Sequence, residues 1–171
     1  MSLLVFDFTF LEGRDCELVV KGLAAVDSYS NRVSSYAFKR PYSCEELPLL
    51  TAGMNQAIDH GCNRNDGYVP YSDLETVVHR EASPAVAIYF FGLQKKQFIS
   101  GLLERTVIEI SQLGCLQLSD VSLPAISCTF VCHNKSIHVC ALRTAYTLSQ
   151  WLKFHILILQ YAICPTQPAF Q

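Results

Sequence analysis

The sequence predicts one α/β domain with five strands and flanking helices. Of its 171 residues, 50% are apolar and only 16% are charged, so the chain can bury enough surface to fold. The amino-terminal part carries three strand-like segments joined by turn residues. After these segments, short apolar strand patterns alternate with helical patterns, which is typical of α/β domains.

Three strands are predicted at the amino end. Residues 2–10 form an apolar run that Asp7 interrupts once, which is typical of a buried strand. Residues 16–26 are rich in β-branched and small side chains, and residues 32–40 alternate until Pro41 ends the pattern. Because tight turns join them, the three strands predict an antiparallel meander with its most buried strand first.

The middle of the chain predicts a loop between two helices. Residues 44–59 contain a short helical pattern, and residues 61–71 are dense in Gly, Asn, Asp and Pro, as loops are. Residues 72–80 predict a helix with Ser72 as its N-cap. Glu75, three residues later, completes a capping box.

The carboxy-terminal half supplies the remaining elements. These are a buried strand at 85–91, a helix at 95–103, a short strand at 107–110 and a long helix at 138–160. We therefore predict a single domain over residues 1–164, followed by a disordered tail at 165–171.

Charge and cysteine content limit the classes of function. The net charge of −2 argues against a strongly electrostatic nucleic-acid or membrane binder, although a local basic patch is compatible with it. So few charges indicate a surface covered by a protein partner. Residues 1–10 lack the features of a signal peptide, so the eight cysteines predict an intracellular protein, nuclear or cytoplasmic, with free or metal-bound thiols.

The most apolar stretch is residues 151–164. It is too short for a membrane span, which needs about 20 residues, and Lys153, His155 and Gln160 interrupt it. The sequence thus predicts no membrane insertion. A buried helix and a helix packed on a partner chain, such as a second copy in a homo-oligomer, are both compatible with the pattern.

Four segments, in order, resemble the ribonuclease H-like fold and, more narrowly, the DEDD proofreading-exonuclease superfamily. They are VFDFT, VVKGLAAVDSYSNRVSSYAFKRPY, AIYFFGLQKKQFISGLL and HVCALRTAYTLSQWL, within residues 3–152. The resemblance implies a mixed five-stranded sheet flanked by helices. It also implies a site where four acids hold two metal ions that activate water.

Most of those acids are absent from this chain. The first motif, Asp-x-Glu, corresponds to Asp7 and Thr9, the second acid to Lys95 and the third-motif acid to Thr144. Since neutral or cationic side chains cannot hold two divalent ions, the resemblance implies loss of ordinary exonuclease activity. Without the other acids, Asp7 is interpreted as a satisfied polar group at a strand end rather than as a catalytic residue. Lys95 and Lys96 are interpreted as a solvated helix start, but in this fold Lys95 would face the cleft and could contact a phosphate.

A cluster of cysteine and histidine residues predicts a zinc site. Five such side chains fall within 13 residues: Cys128, Cys132, His133, His138 and Cys140. Zn²⁺ prefers four nitrogen or sulfur ligands in a tetrahedron. Buried thiols without a metal are the alternative.

The cluster is similar to that of the Maelstrom domain, a ribonuclease H-like family that lacks the acid tetrad and carries a structural zinc bound by Glu, Cys, His and Cys. This similarity implies Cys128, His133 and Cys140 as ligands, although the family's His comes two places earlier. The family's Glu would fall near Lys21 and Gly22, where no acid stands. His60 is the leading substitute, and Cys132, His138, Cys62 and Cys115 are further candidates.

Three functions follow from these patterns. The first is a catalytically degenerate domain, stapled by structural zinc, that binds RNA or proteins, with small-RNA (piRNA) silencing of transposons and weak metal-independent RNA cleavage implied by the Maelstrom resemblance. The second is a residual metal-dependent nuclease in which Asp7 acts with other acids, such as Glu104 or Glu109. The third is a structural interaction domain whose last helix forms the interface.

Overall fold

A five-stranded mixed sheet forms the centre of the structure. The computed structural model describes residues 2–13, 17–41, 67–115 and 140–163. The strands within these ranges are β1 (Ser2–Glu12), β2 (Leu18–Asp27), β3 (Val33–Ala37), β4 (Ala85–Phe90) and β5 (Val107–Glu109). Their spatial order is β3-β2-β1-β4-β5. The long first strand therefore lies in the middle of the sheet.

The strand directions change at β1. β1 pairs with β2, and β2 with β3, in antiparallel register, which confirms the predicted meander. β1 pairs with β4, and β4 with β5, in parallel register, and a helix connects β4 to β5. The sheet is thus mixed, and β1 is the strand that joins its two halves.

Three α-helices are described. They are α1 (Leu74–Ala82), α2 (Leu93–Leu103) and α3 (Ala141–Ile163). Short 3-10 turns precede α1 at Tyr71–Asp73 and follow β5 at Ile110–Leu113. The α/β class with five strands and flanking helices, predicted from the sequence, is confirmed.

The helices cover opposite faces of the sheet. α1 and α2 bury their apolar side chains against one face of β1 and β4, in a core that includes Phe6, Phe8 and Phe90. α3 packs against the other face, over Val5 and Ala24. Because side chains alternate along a strand, consecutive residues of β1 belong to different cores.

Two local predictions are corrected. β1 extends two residues beyond the predicted strand at 2–10, since Leu11 and Glu12 still pair with β2. The capping box at Ser72 is wrong: residues 71–73 form a 3-10 turn, Asp73 is the N-cap of α1 without a side-chain bond, and the Ser72 hydroxyl donates to the Asp73 carboxylate.

Several predictions fall outside the described residues. They are the short helix in 44–59, most of the loop at 61–71 and the disordered tail at 165–171. Within the described part of the chain, no helix combines the length and apolar character needed to cross a bilayer.

Candidate functional site

Asp7 lies at the centre of the sheet, beside the carboxyl end of β4. Val5, two residues earlier, pairs with Tyr89, and β4 ends at Phe90. Asp7 therefore stands level with the connection from β4 to α2. Crevices at the carboxyl ends of parallel strands are where open α/β sheets bind ligands.

Asp7 is a buried acid with three partners. Only 3% of the residue is exposed. Its Oδ1 accepts a hydrogen bond from Lys95 Nζ at 2.5 Å, and the Phe8 backbone N–H and the Thr144 hydroxyl also donate to the carboxyl group. Burial raises the pKa of Asp7, and the Lys95 charge and these hydrogen bonds act in the opposite direction.

Lys95 reaches Asp7 from the first turn of α2. Its Nζ also lies over the ring of Phe8, 5.6 Å from the centroid, where the face of the ring attracts a cation. The Lys95 side chain is 24% exposed. An ammonium group has three donors, so an ion pair with Asp7 still leaves donors for a ligand in solvent. The interpretation of Lys95 as part of a solvated helix start is therefore corrected.

Thr144 completes the group from the opposite side of the sheet. It lies in the first turn of α3, where its backbone N–H donates to the Cys140 carbonyl at 3.0 Å. Asp7, Lys95 and Thr144 are widely separated in sequence, yet β1, α2 and α3 bring them to one point. These are three of the positions that the sequence analysis compared with metal-ligating acids.

Thr9, the fourth of those positions, lies farther along β1. It pairs with Gly22 on β2. A Cβ atom at position 22 would lie 2.9 Å from the Thr9 hydroxyl oxygen, so a larger residue there would require the Thr9 side chain to move. Among these four positions only Asp7 carries a carboxylate, and this donor set cannot hold a pair of divalent ions.

Glu109, a candidate acid of the residual-nuclease hypothesis, does not join Asp7. It is 6% exposed at the end of β5. Its Oε1 accepts the Gly92 backbone N–H at 2.9 Å, and its Oε2 accepts the Ser111 hydroxyl. Although burial opposes the shift, these hydrogen bonds and the nearby Lys96 charge lower the pKa of Glu109.

Glu104, the other candidate acid, is also separate from Asp7. It is the C-cap of α2, in a left-handed conformation with φ of 50°. It lies nine positions after Lys95, which corresponds to about 13 Å along the helix axis. The structure therefore brings neither alternative acid to Asp7.

The zinc-site candidates fall mostly outside the described residues. Those outside are Cys128, Cys132, His133, His138, His60 and Cys62. Cys140, at the start of α3, and Cys115 are both buried in the core beneath that helix. Within the described ranges no group of three or more Cys, His, Asp or Glu side chains could hold a metal ion.

Glu81 on α1 is a further buried acid, one that the sequence does not predict. Its Oε1 accepts the Tyr36 hydroxyl at 2.6 Å, and the Arg32 guanidinium lies 3.1 Å from its Oε2. The Arg80 guanidinium lies over the Tyr36 ring, 5.5 Å from its centroid. This cluster ties α1 to β3 and the turn before it. A lone acid in a helical pattern gave no signal of these partners.

Comparison with known proteins adds no family to this geometry. No protein-family model matches the chain, and no curated protein matches its sequence.

Proposed function

We propose that this chain is a catalytically inactive ribonuclease H-like domain that binds single-stranded RNA, without metal ions, in the crevice around Lys95. The observation that carries the proposal is the ion pair between Lys95 and Asp7. In the resembling nucleases, divalent ions balance the carboxylates at this place. Here a lysine ammonium balances the single acid.

The convergence of Asp7, Lys95 and Thr144 supports the ribonuclease H-like part of the proposal. The resemblance places these three residues in one site from the sequence alone. An unrelated α/β fold would have no reason to bring them together from three separate elements.

The charge and exposure of the site support an RNA ligand. Lys95 is partly exposed, Lys96 follows it, and Arg143 precedes Thr144 on α3. Three cations therefore lie on or beside the elements that form the site, and a phosphodiester backbone is the polyanion that such groups bind. Because the whole chain has a net charge of −2, we expect RNA to bind at these cations and not over the protein surface in general.

RNA binding can be measured with a fluorescent single-stranded oligonucleotide over a series of salt concentrations, with and without a chelator. We expect Asp7→Asn to strengthen binding, because it removes a negative charge beside Lys95 and keeps the shape of the side chain. Binding that requires Mg²⁺ and is lost in Asp7→Asn would instead indicate a residual nuclease site.

The matched cation test uses Lys95 and Lys39. In an Asp7→Asn background, Lys95→Gln should weaken RNA binding about tenfold and lower the salt slope by about one, because one phosphate contact is lost. Lys39→Gln, at an exposed position after β3, should leave both unchanged. Equal effects of the two substitutions would contradict a site at Lys95.

A separate experiment tests whether these positions correspond to the metal-binding acids of ribonuclease H-like nucleases. The variant Thr9→Glu/Lys95→Asp/Thr144→Asp restores acids at the three substituted positions. We expect it to bind Mn²⁺ by calorimetry, whereas wild type and a Thr9→Gln/Lys95→Asn/Thr144→Asn control should not. A folded variant that does not bind Mn²⁺ would argue against the ribonuclease H-like assignment.

One observation favours a protein partner as the second candidate. Phe154 on α3 is 65% exposed, so this helix presents a large apolar side chain to solvent. If α3 is an interface between two copies, Phe154→Ser should reduce self-association measured by sedimentation. It should leave RNA binding by the monomer unchanged.

The structural zinc stays a prediction of the sequence. Elemental analysis of carefully purified protein should give close to one zinc per chain, and Cys140→Ser should lower that content. Less than about a tenth of a zinc per chain would exclude a zinc-stapled domain.

A further inference from the structure

The connection from β4 to α2 decides where Lys95 points. Only Phe91 and Gly92 separate the last residue of β4 from the first residue of α2. Gly92 has φ of 102°, a left-handed conformation that favours glycine, although a Cβ atom there would meet nothing within 4 Å. The backbone conformation, and not a lack of space, therefore requires glycine at this turn.

Glu109 holds that turn from the neighbouring strand, β5. It pairs with Phe90 at the end of the β4–β5 ladder. One carboxylate oxygen accepts the Gly92 N–H at 2.9 Å, and the other accepts the Ser111 hydroxyl. Both oxygens are thus engaged, and the Gly92 amide is held at a defined distance from β5.

The turn and the ion pair are separated by less than one helical turn. Lys95 is three residues after Gly92, and its Nζ must meet Asp7 Oδ1 at 2.5 Å over the Phe8 ring. A small rotation of the start of α2 would move the Lys95 backbone relative to Asp7, and the side chain would then have to leave its present conformation over the Phe8 ring to reach the carboxylate.

We propose that Glu109 is a positioning residue, which sets the direction of α2 so that the Lys95 ammonium lies against Asp7. The meaning of this for RNA binding rests on the proposed function, but the positioning itself does not. In this role the Glu109 carboxylate binds the backbone amide of Gly92 and is not a metal ligand.

Two substitutions at Glu109 test whether the length or the charge of its side chain matters. Glu109→Gln keeps the length of the side chain and an oxygen for the Gly92 N–H, but removes the charge. Glu109→Asp keeps the charge and is one methylene too short to reach that amide. Positioning predicts that the glutamine variant behaves as wild type and the aspartate variant does not. A purely electrostatic role predicts the reverse.

The readout is the coupling between Asp7 and Lys95, which a general loss of stability would not change. It is measured as the non-additive part of the shifts in urea midpoint for Asp7→Asn, Lys95→Met and the double variant. This cycle is repeated in Glu109→Gln, in Glu109→Asp and in Glu104→Gln, the matched control at the far end of α2.

We expect the coupling to be retained in Glu109→Gln and Glu104→Gln, and most of it to be lost in Glu109→Asp. Unchanged coupling in Glu109→Asp would overturn the proposal, and so would loss in Glu109→Gln alone. If Glu109→Asp does not fold, Ser111→Ala, which releases the other carboxylate oxygen, should weaken the coupling. Unchanged coupling there would count equally against positioning.

RNA binding by the same variants separates this inference from the proposed function. If both hold, Glu109→Asp weakens RNA binding by about the same factor as Lys95→Gln. If the coupling follows the expected pattern while no Lys95 variant affects RNA binding, the proposed function is wrong and the positioning role stands.

Discussion

The two faces of the central sheet are built on the same strands and carry different side chains. The face under α1 and α2, here called the aromatic face, presents from β1 and β4 the residues Leu4, Phe6, Phe8, Ile88 and Phe90. The face under α3, here called the mixed face, combines apolar side chains such as Val5 with buried polar groups, which are Asp7, Ser28, Thr147 and Ser149. Both faces are buried. Of the residues that β1 and β4 present in the described ranges, Asp7 on the mixed face is the buried charge, whereas the buried Glu81 belongs to α1 and lies against the edge strand β3.

This difference separates packing from function. Burying an apolar ring stabilises the fold roughly in proportion to its area, whereas burying a carboxylate is costly and an apolar replacement is often as stable. The aromatic face is therefore explained by stability alone. The Asp7 site on the mixed face needs another reason, which the proposed RNA-binding site supplies.

The largest expected effect is on the aromatic face. Phe6 is fully buried and stacks on Phe90 with ring centroids 5.5 Å apart. Phe6→Ala should lower the free energy of unfolding by about 4 kcal/mol, from lost burial and the cavity left behind. Urea denaturation measures it. Phe154→Ala, at an exposed site, should cost less than about 1 kcal/mol, and a similar loss in both variants would contradict the comparison.

The second prediction concerns the charge on the mixed face. Lys95→Met leaves the Asp7 carboxylate buried without a counter-charge, so we expect a loss of about 3 kcal/mol at neutral pH. Asp7→Asn should cost about 1 kcal/mol or less, because it leaves no buried charge and Lys95 can turn toward solvent. Adding Asp7→Asn to Lys95→Met should recover most of the loss.

The free energy of unfolding of Lys95→Met should depend on pH in a direction that the pKa of Asp7 sets. Burial raises the pKa of Asp7, so the folded state holds a proton that the unfolded state has already released. Stability must then fall as pH rises from the ordinary pKa of Asp, about 4, through the folded-state pKa. Removing Lys95 raises the folded-state pKa of Asp7 further, so this decline should extend to higher pH and be larger in total than in wild type. A pH-independent difference between the two proteins would show that Asp7 is not the responsible group.

The sequence predicted the elements better than their contacts. The meander was visible because turn residues separate three strand patterns. The ion pair was not visible from local patterns, since its partners are 88 residues apart and a lysine pair at a helix start is usually solvated. It was anticipated only through the resemblance, which placed Lys95 in the cleft.

The role of Glu109 shows why the rest could not be predicted. β5 has three residues, too few for alternation to reveal which side chains face inward. The acid was therefore counted as a candidate metal ligand, when its oxygens bind the Gly92 amide and the Ser111 hydroxyl. The capping box at Ser72 failed for a similar reason, because the 3-10 turn before α1 gives that hydroxyl a different acceptor.

A smaller effect is expected at Asp27, where the β2–β3 turn meets α3. Its carboxylate accepts the Ser2 hydroxyl at 2.8 Å and the backbone N–H groups of Tyr29 and Ser30 at 2.8 and 3.2 Å. Asp27→Ala should cost about 2 kcal/mol at neutral pH, because these bonds are made to a charged group. Asp27→Asn, which keeps one oxygen for the turn, should cost less.

The Asp27 effect should have the opposite pH dependence to that of Asp7. Burial opposes the shift, but the hydrogen bonds together lower the pKa of Asp27. Its contribution is therefore present above its ordinary pKa and is lost as pH falls through the folded-state pKa. The stability difference between wild type and Asp27→Ala should shrink below about pH 4. A difference that grows in acid would contradict this assignment.

The smallest expected effect concerns two neutral polar groups on the mixed face. It tests whether they contribute less to the free energy of unfolding than the charged Asp7 and Lys95 do. The Ser28 and Ser149 hydroxyls are buried and 3.0 Å apart, and they join the turn after β2 to α3. Ser149→Ala should cost about 1 kcal/mol, since it leaves the Ser28 hydroxyl buried without this partner. Because Ser28→Ala removes that unpaired group, the double variant should cost less than the sum of the two single variants. If instead the costs add, the two hydroxyls do not depend on each other, and Asp7 with Lys95 would be the only coupled polar pair tested across this face.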